Sequence, residues 1–229
     1  MALTEKQDKT DSRKTQVLIV DDQPVVREGL TTIINHEKDL NVCGEANDDC
    51  QALKAAAELS PDVVVVDISL KNSDGIELTK SLKARYPKLS IIVFSVHDES
   101  LYAERALLAG AKAYLMKDAV SENIVKAIRT VLSGEIYVSS TISKKFLRKI
   151  AGDKAGTAKT PIENLSDREF EVFRLIGEGL KASQIASQLY LSIKTIETYR
   201  TRIKEKLNLD DAAKLLQYSI KWAKSQGRE

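Results

Sequence analysis

Four short apolar runs each stop at a polar residue suited to chemistry. Val17-Leu18-Ile19-Val20 is followed by Asp21 and Asp22, Val63-Val64-Val65-Val66 by Asp67, Ile91-Ile92-Val93-Phe94 by Ser95, and Ala113-Tyr114-Leu115-Met116 by Lys117. Continuous runs of this kind read as parallel strands buried on both faces. The pattern predicts strands near 17–20, 40–46, 63–67, 91–95 and 112–116. Stretches of helical period lie at 24–36, 49–59, 75–85, 99–108 and 121–132. Leu53, Ala56 and Ala57, like Ile124, Ala127, Ile128 and Val131, recur at the spacing of a helix face laid on a sheet. Five βα units with right-handed crossovers give a parallel sheet covered by helices on both sides. The carboxyl ends of such strands form the crevice where α/β proteins place chemistry. Three carboxylates, a hydroxyl and an ammonium therefore converge on one edge.

The pattern changes after Val138. Ser143–Ile150 can form a short basic helix, and Gly152–Pro161 is small, polar and broken by glycines, so 139–161 reads as a linker. Residues 162–229 read as all helical. Ser166-Asp167-Arg168-Glu169 fits a capping box opening a helix to about Glu178, which Gly179 ends. A short helix near 183–189, a turn at Tyr190-Leu191-Ser192, a longer helix Ile193–Leu207 and a last helix Asp211–Lys224 follow. The expected fold class is thus α/β plus all-α.

Composition sharpens the division. Residues 1–138 carry 17 Lys/Arg against 22 Asp/Glu, whereas 139–229 carry 18 against 11. An acidic first domain joined to a basic second one suggests a polyanion as the second domain's partner. No apolar run in the 229 residues approaches a membrane span. The polar, charged segment over 1–15 has no apolar stretch of signal-peptide type and is expected to be a disordered tail. Both features point to a cytoplasmic protein. Cys43 and Cys50 are expected to be reduced and inert.

The acid cluster suits a hard cation such as Mg2+, which takes carboxylates, waters and phosphate oxygens. Asp22 and Asp67 can bind it directly and Asp21 through a water, with the backbone carbonyl of Ser69 completing the protein's share. Asp67 would be a nucleophile toward phosphorus, since phosphoryl transfer needs mostly positioning and charge neutralisation. Lys117 would offset charge on the phosphoryl oxygens, and Ser95 would hydrogen-bond one of them. Each element has a plain alternative: an Asp pair before Pro24 can be a turn and helix cap, and a strand-end lysine can be solvated. All four in order on successive strands are hard to obtain by accident.

On these residues the chain resembles a response regulator of two-component signalling. The resemblance implies a flavodoxin-like receiver domain over 16–138. It makes Asp21-Asp22 the metal-binding pair, Asp67 the phosphoacceptor, Ser95 the hydroxyl switch and Lys117 the charge-offsetting lysine. Tyr114 matches the aromatic switch position, with core packing as the alternative. Asp74-Gly75 matches the Asp-Gly after the acceptor loop. Lys71 stands where receivers usually have Pro, and Asp118 where many have Pro. Ser69 and His97 fall where receivers tune phosphoryl lifetime; for His97 a solvated loop is the alternative.

Residues 165–209 resemble the LuxR-type helix-turn-helix of the NarL/FixJ family, through Leu165-Ser166, Arg168-Glu169, Glu171-Val172, Gly179, Ile185-Ala186, Leu191-Ser192, Thr195-Ile196 and Lys206-Leu207. The residues agree: Ile193, Ile196, Ile203 and Leu207 mark a buried face, and Lys194, Arg200, Arg202, Lys204 and Lys206 outnumber Glu197 and Glu205. Such a helix suits a major groove. The resemblance places Glu197, Thr198 and Thr201 at bases and Lys194, Thr195, Tyr199, Arg200 and Arg202 near the backbone. Tyr199 stands where His is common, and Lys181-Ala182 replaces Ser-Asn before the second helix. The last helix would support dimerisation, or pack only within its domain.

The expected function is that of a DNA-binding transcription factor, phosphorylated on Asp67 by a histidine kinase, homodimeric when phosphorylated or DNA-bound. It would turn over no free substrate, catalysing only its own phosphoryl transfer and dephosphorylation. Phosphorylation would move Ser95 and Tyr114 toward the site and remodel the face of the fourth helix, fifth strand and fifth helix. One rival is a phosphohydrolase of the haloacid dehalogenase type, which would need Asp-x-Asp after its first strand. Another is a constitutive DNA-binding protein with an unphosphorylated receiver.

Overall fold

The structure is a computed structural model and describes residues 13–71, 73–151 and 161–225. Residues 1–12 of the expected tail and 152–160 of the expected linker lie outside it.

The first domain runs β1 (Thr15–Val20), α1 (Pro24–His36), β2 (Leu40–Ala46), α2 (Asp49–Leu59), β3 (Val63–Val66), then a two-stranded ribbon of β4 (Ser69–Leu70) and β5 (Ser73–Asp74). It continues with α3 (Gly75–Arg85), β6 (Ser90–Ser95), α4 (Glu99–Leu108), β7 (Ala113–Met116) and α5 (Val120–Leu132). The five long strands form one sheet in the order β2-β1-β3-β6-β7, all parallel. This is the doubly wound order whose ligand crevice lies at the β1/β3 switch point. Val63 to Val66 are each no more than 1% exposed, as both sheet faces are covered. Each such side chain contributes about 1.5–3 kcal/mol of burial. Helix starts are set by side-chain caps: Asp48 accepts from Gln51 N, and Asp74 from Ile76 N and Glu77 N.

Two connections were not legible as elements. The β4–β5 ribbon is antiparallel, pairing Ser69 with Asp74. Beyond α5, the Tyr114 N–H donates to the Tyr137 carbonyl (3.1 Å) and the Tyr137 N–H to the Lys112 carbonyl (2.9 Å), so this segment covers the free edge of β7. Helix α6 (Ser140–Ile150) follows at once, three residues earlier than the basic pattern suggested, because Ser139 caps it through Ile142 N. It packs on α4: Ser139 Oγ donates to Glu99 (2.6 Å) and Lys145 Nζ to the Ser100 carbonyl (3.0 Å). The face expected to be remodelled is thus partly occupied by the chain itself.

The helical domain comprises α7 (Asp167–Gly177), α8 (Ala182–Gln188), α9 (Ile193–Leu207) and α10 (Ala212–Ser225). The expected capping box is formed, with Ser166 Oγ accepting from Glu169 N and Glu169 accepting from Ser166 N. Lys206 also binds Glu169, at 2.6 Å, tying α9 to the start of α7. Lys181 gives α8 no side-chain cap; instead the Gln184 carboxamide accepts from the Lys181 N–H (2.9 Å). Helix α10 lies against α7, where Phe173 meets both Tyr218 and Trp222. A Cβ at Gly177 would stand 2.6 Å from the Ser219 carbonyl, so glycine permits this approach. Leu216 stays 43% exposed.

Candidate functional site: an acidic pocket under a helix of the second domain

The strand ends deliver the expected groups to one place. Asp21 extends β1 and accepts from Gln23 N (2.9 Å), while the Asp67 N–H donates to the Val20 carbonyl (2.8 Å), locking β3 to β1 at the crevice. Ligand oxygens of Asp21, Asp22 and Asp67 lie within 4.8 Å of one another. Lys117, at the end of β7, reaches both Asp21 Oδ2 (2.6 Å) and Asp67 Oδ2 (2.8 Å). Burial and the neighbouring Asp67 push the Asp21 carboxyl above its usual range, and burial and Asp21 do the same to Asp22. Burial alone would pull Lys117 down, but Asp67 and Asp21 outweigh it and hold the ammonium charged.

Among the described residues Lys117 is the cation paired with this cluster, on Asp21 and Asp67 alone, and Asp22 Oδ1 and Asp67 Oδ1 are buried without a hydrogen-bond partner. Unpaired buried carboxylate oxygens cost free energy that a second cation would recover. The donor set is all oxygen, which fits a hard divalent ion such as Mg2+.

Gly75 shapes this pocket. Its N–H donates to the Ile68 carbonyl (2.9 Å), and a Cβ there would stand 1.9 Å from the Asp67 carbonyl oxygen. Lys71, standing where receivers usually have Pro, sits exposed at the ribbon turn.

Ser95 is fully buried at the end of β6. Tyr114 is also buried, 2% exposed, with its hydroxyl donating to the His97 carbonyl (2.8 Å). Tyr114 faces inward in this structure, because the ring fills the core and the loop supplies its hydroxyl with an acceptor. His97 is no solvated loop residue. Its side chain is only 12% exposed, Nε2 shares a 2.8 Å hydrogen bond with Ser69 Oγ, and burial lowers its pKa to about 4.

The second domain closes over this loop. Asp167 at the start of α7 binds Lys80 of α3 and Arg105 of α4, each at 2.9 Å. Arg105 also donates to the carbonyls of Leu165 (3.0 Å) and Ile162 (3.3 Å), and its guanidinium lies 4.2 Å from the Phe170 ring centre. Arg168 binds Glu171 (2.6 Å) and reaches the Ser73 carbonyl (3.3 Å). Lys80, Arg105 and Glu171 carry no signal of this role in the sequence: each reads as one more charge on a helix face. Asp167 was legible only as part of a capping box.

On α9, Lys194, Glu197, Thr198, Thr201 and Arg202 are exposed, while Thr195, Tyr199 and Arg200 are half-buried. The hydroxyls of Thr198 and Thr201 donate back to the Lys194 and Glu197 carbonyls, and Arg200 pairs with Glu197 at 2.9 Å. Thr195 receives the Ser192 cap. Tyr199 faces the first domain across a cleft of about 260 Å³ that Asp49 and Glu77 also line.

A (βα)5 domain with this pocket, followed by four helices with a basic third one, defines a class. Residues 17–129 match the family described as the response regulator receiver domain, and residues 163–219 match the bacterial regulatory proteins of the luxR family. The chain belongs to the response regulators that join these two domains. Among its relatives is the oxygen regulatory protein NreC of Staphylococcus epidermidis, 32% identical over 211 residues, covering 90% of this chain and 97% of that protein. NreC of Staphylococcus aureus is 33% identical over 210 residues, with the same coverage. Among solved structures, RcsB of Salmonella enterica serovar Typhimurium, bound to promoter rprA with the phosphomimetic BeF3−, matches with TM-score 0.58 and 29% identity, over 90% of this chain and 98% of that one. A further RcsB structure from Salmonella typhimurium gives TM-score 0.62 at 28% identity, over 91% and 98%. This chain is therefore a transcription-regulating response regulator. Among its described residues no helix is long and apolar enough to cross a membrane.

Proposed function

We propose that Asp67 accepts a phosphoryl group from a histidine kinase and that its arrival controls DNA binding by α9, in the cytoplasm. The observation that carries this reading is the pocket's charge pattern: Asp67 presents one oxygen to Lys117 and keeps the other unpartnered beside Asp21 and Asp22. A Mg2+ held by Asp21, Asp22, Asp67 and the Ser69 carbonyl would screen the carboxylates from an anionic phosphoryl donor. An Asp67 oxygen forms the new O–P bond as the donor's histidine N–P bond breaks, and the imidazole leaves. Lys117 neutralises a phosphoryl oxygen, and Ser95 turns its hydroxyl to donate to another. A phosphoryl group brings roughly −1.5 to −2 charges, enough to bias two pre-existing arrangements of the loops around it. The domain limits proposed are 16–138, a linker over 139–161, and 162–229, with α6 docked on the first domain.

The test compares DNA affinity of the phosphorylated and unphosphorylated chain. Ser95→Ala should still accept phosphate but lose most of the difference, since the hydroxyl that registers the phosphoryl oxygen is gone. An undiminished difference in that variant would exclude the switch role.

For the output, α9 enters a major groove with Glu197, Thr198 and Thr201 toward bases, and Lys194, Thr195, Tyr199, Arg200 and Arg202 toward the backbone. Two copies, joined in part through α10, would occupy inverted or tandem half-sites. Replacing Arg200 by Ala should weaken binding to all sequences alike and lower the slope of log affinity against log salt by about one unit. A change in base preference at constant salt slope would reassign Arg200 to readout.

A further inference from the structure

Three groups at the acceptor site meet on one residue. The His97 N–H donates to Ser95 Oγ (3.3 Å), its carbonyl accepts from the Tyr114 hydroxyl (2.8 Å), and its Nε2 hydrogen-bonds Ser69 Oγ (2.8 Å). On its other side the same residue meets the second domain. Its ring stacks on Tyr102 with centroids 4.7 Å apart, and Tyr102 meets Phe170 of α7 edge-on at 5.4 Å. Glu171 Oε1, also on α7, lies 4.0 Å from Nε2. A continuous run of contacts thus leads from Ser95 through His97 into α7. The seam is incompletely satisfied, because Ser73 Oγ is buried without a hydrogen-bond partner. Such a group favours a second arrangement in which it reaches water.

We propose that His97 is the positioning residue that couples the phosphoryl site to the DNA-binding domain, and that the coupling runs both ways. The proposal rests on the reading of Asp67 as the phosphoacceptor. When the Ser95 hydroxyl turns to a phosphoryl oxygen, the His97 N–H loses its acceptor, and the loop that carries the ring resettles. The ring then no longer offers α7 the same surface, and the closure that Asp167 makes on Lys80 and Arg105 loosens. Closure matters for output because it keeps Asp49 and Glu77 of the first domain on the flank of Tyr199. Two carboxylates there compete with the DNA phosphates that α9 would meet. Coupling of binding sites is reciprocal, so DNA that draws α9 away must strengthen binding at the acceptor site by the factor that phosphorylation strengthens DNA binding.

The test uses the full chain, Mg2+, acetyl phosphate and a duplex that the unsubstituted chain selects from genomic DNA. The ratio of DNA affinities with and without phosphorylation is measured per labelled molecule, so failure to load is separated from failure to couple. The unsubstituted chain should show a ratio between about 5 and 150. Labelled His97→Ala should fall below about 3-fold because its unphosphorylated affinity rises toward that of the phosphorylated chain, a pattern that general loss of structure does not produce. Glu171→Gln, which lies on α7 and leaves the acceptor loops intact, should lower the ratio in the same direction and is decisive if His97→Ala does not load. A full ratio in the labelled variants would overturn the coupling role while leaving Asp67 as acceptor. Absence of label on the unsubstituted chain would instead remove the acceptor reading, and the proposal with it.

Discussion

Asp67→Asn protein should take up no label from acetyl phosphate in Mg2+, under conditions that label the unsubstituted chain. The amide has no anionic oxygen to attack phosphorus. It also withdraws one of the three carboxylates whose ligand oxygens crowd within 4.8 Å, so the pocket loses a donor and much of its attraction for a divalent ion. The variant should remain folded, because removing a buried like charge beside Asp21 relieves repulsion, and Lys117 keeps its contact with Asp21. Loss of label therefore reports on chemistry rather than on unfolding. A chelator should abolish labelling of the unsubstituted chain. Label that persists on Asp67→Asn, or that ignores the chelator, contradicts the assignment.

Gly75→Ala should damage both fold and site. The added methyl would stand 1.9 Å from the Asp67 carbonyl oxygen, 2.7 Å from its carbonyl carbon and 2.8 Å from Ile68 Cα. All three obstacles are backbone, so no flexible side chain can yield. Overpacking costs about 1–3 kcal/mol, and the upper end applies here because β3 itself must shift. Urea unfolding should show a midpoint lowered accordingly, with a slower rate of labelling at Asp67. A midpoint and rate like those of the unsubstituted chain would show that the ribbon moves freely and that Gly75 does not shape the pocket.

Much of the acidic pocket was readable because each of its groups follows an apolar run that only a doubly covered parallel strand explains. Val63 to Val66 announce both the strand and the place where Asp67 leaves it, and the same holds for Ser95 and Lys117. The helices of the second domain were equally legible, since Ser166, Ser192 and Gly179 mark ends by local rules of capping and termination. The β4–β5 ribbon escaped because two-residue strands are too short to show alternation. The pairing of Tyr137 with β7 escaped because one residue carries no period. The seam between the domains escaped for a different reason. Asp167 meets Arg105 and Lys80 across separations of 62 and 87 residues, and nothing local distinguishes those two cations from solvated ones. His97 was seen as a position near the acceptor, but its burial depends on α7 and Tyr102 lying over it.

On the coupling proposed for His97, closure between the domains is the element that phosphorylation acts on. The acidic pocket is satisfied in part by Lys117, and its loops are held in turn by Ser95, Tyr114 and His97 beneath α7. The most direct measurement of this account is capture of fragmented genomic DNA by the purified full chain before and after phosphorylation with acetyl phosphate and Mg2+, with Asp67→Asn as control. Phosphorylated protein should enrich a discrete set of fragments about tenfold or more over unphosphorylated protein, within the usual range of coupling between sites, and Asp67→Asn should show no such gain. The same fragments recovered in equal yield from all three samples would contradict control of DNA binding by the phosphoryl group at Asp67.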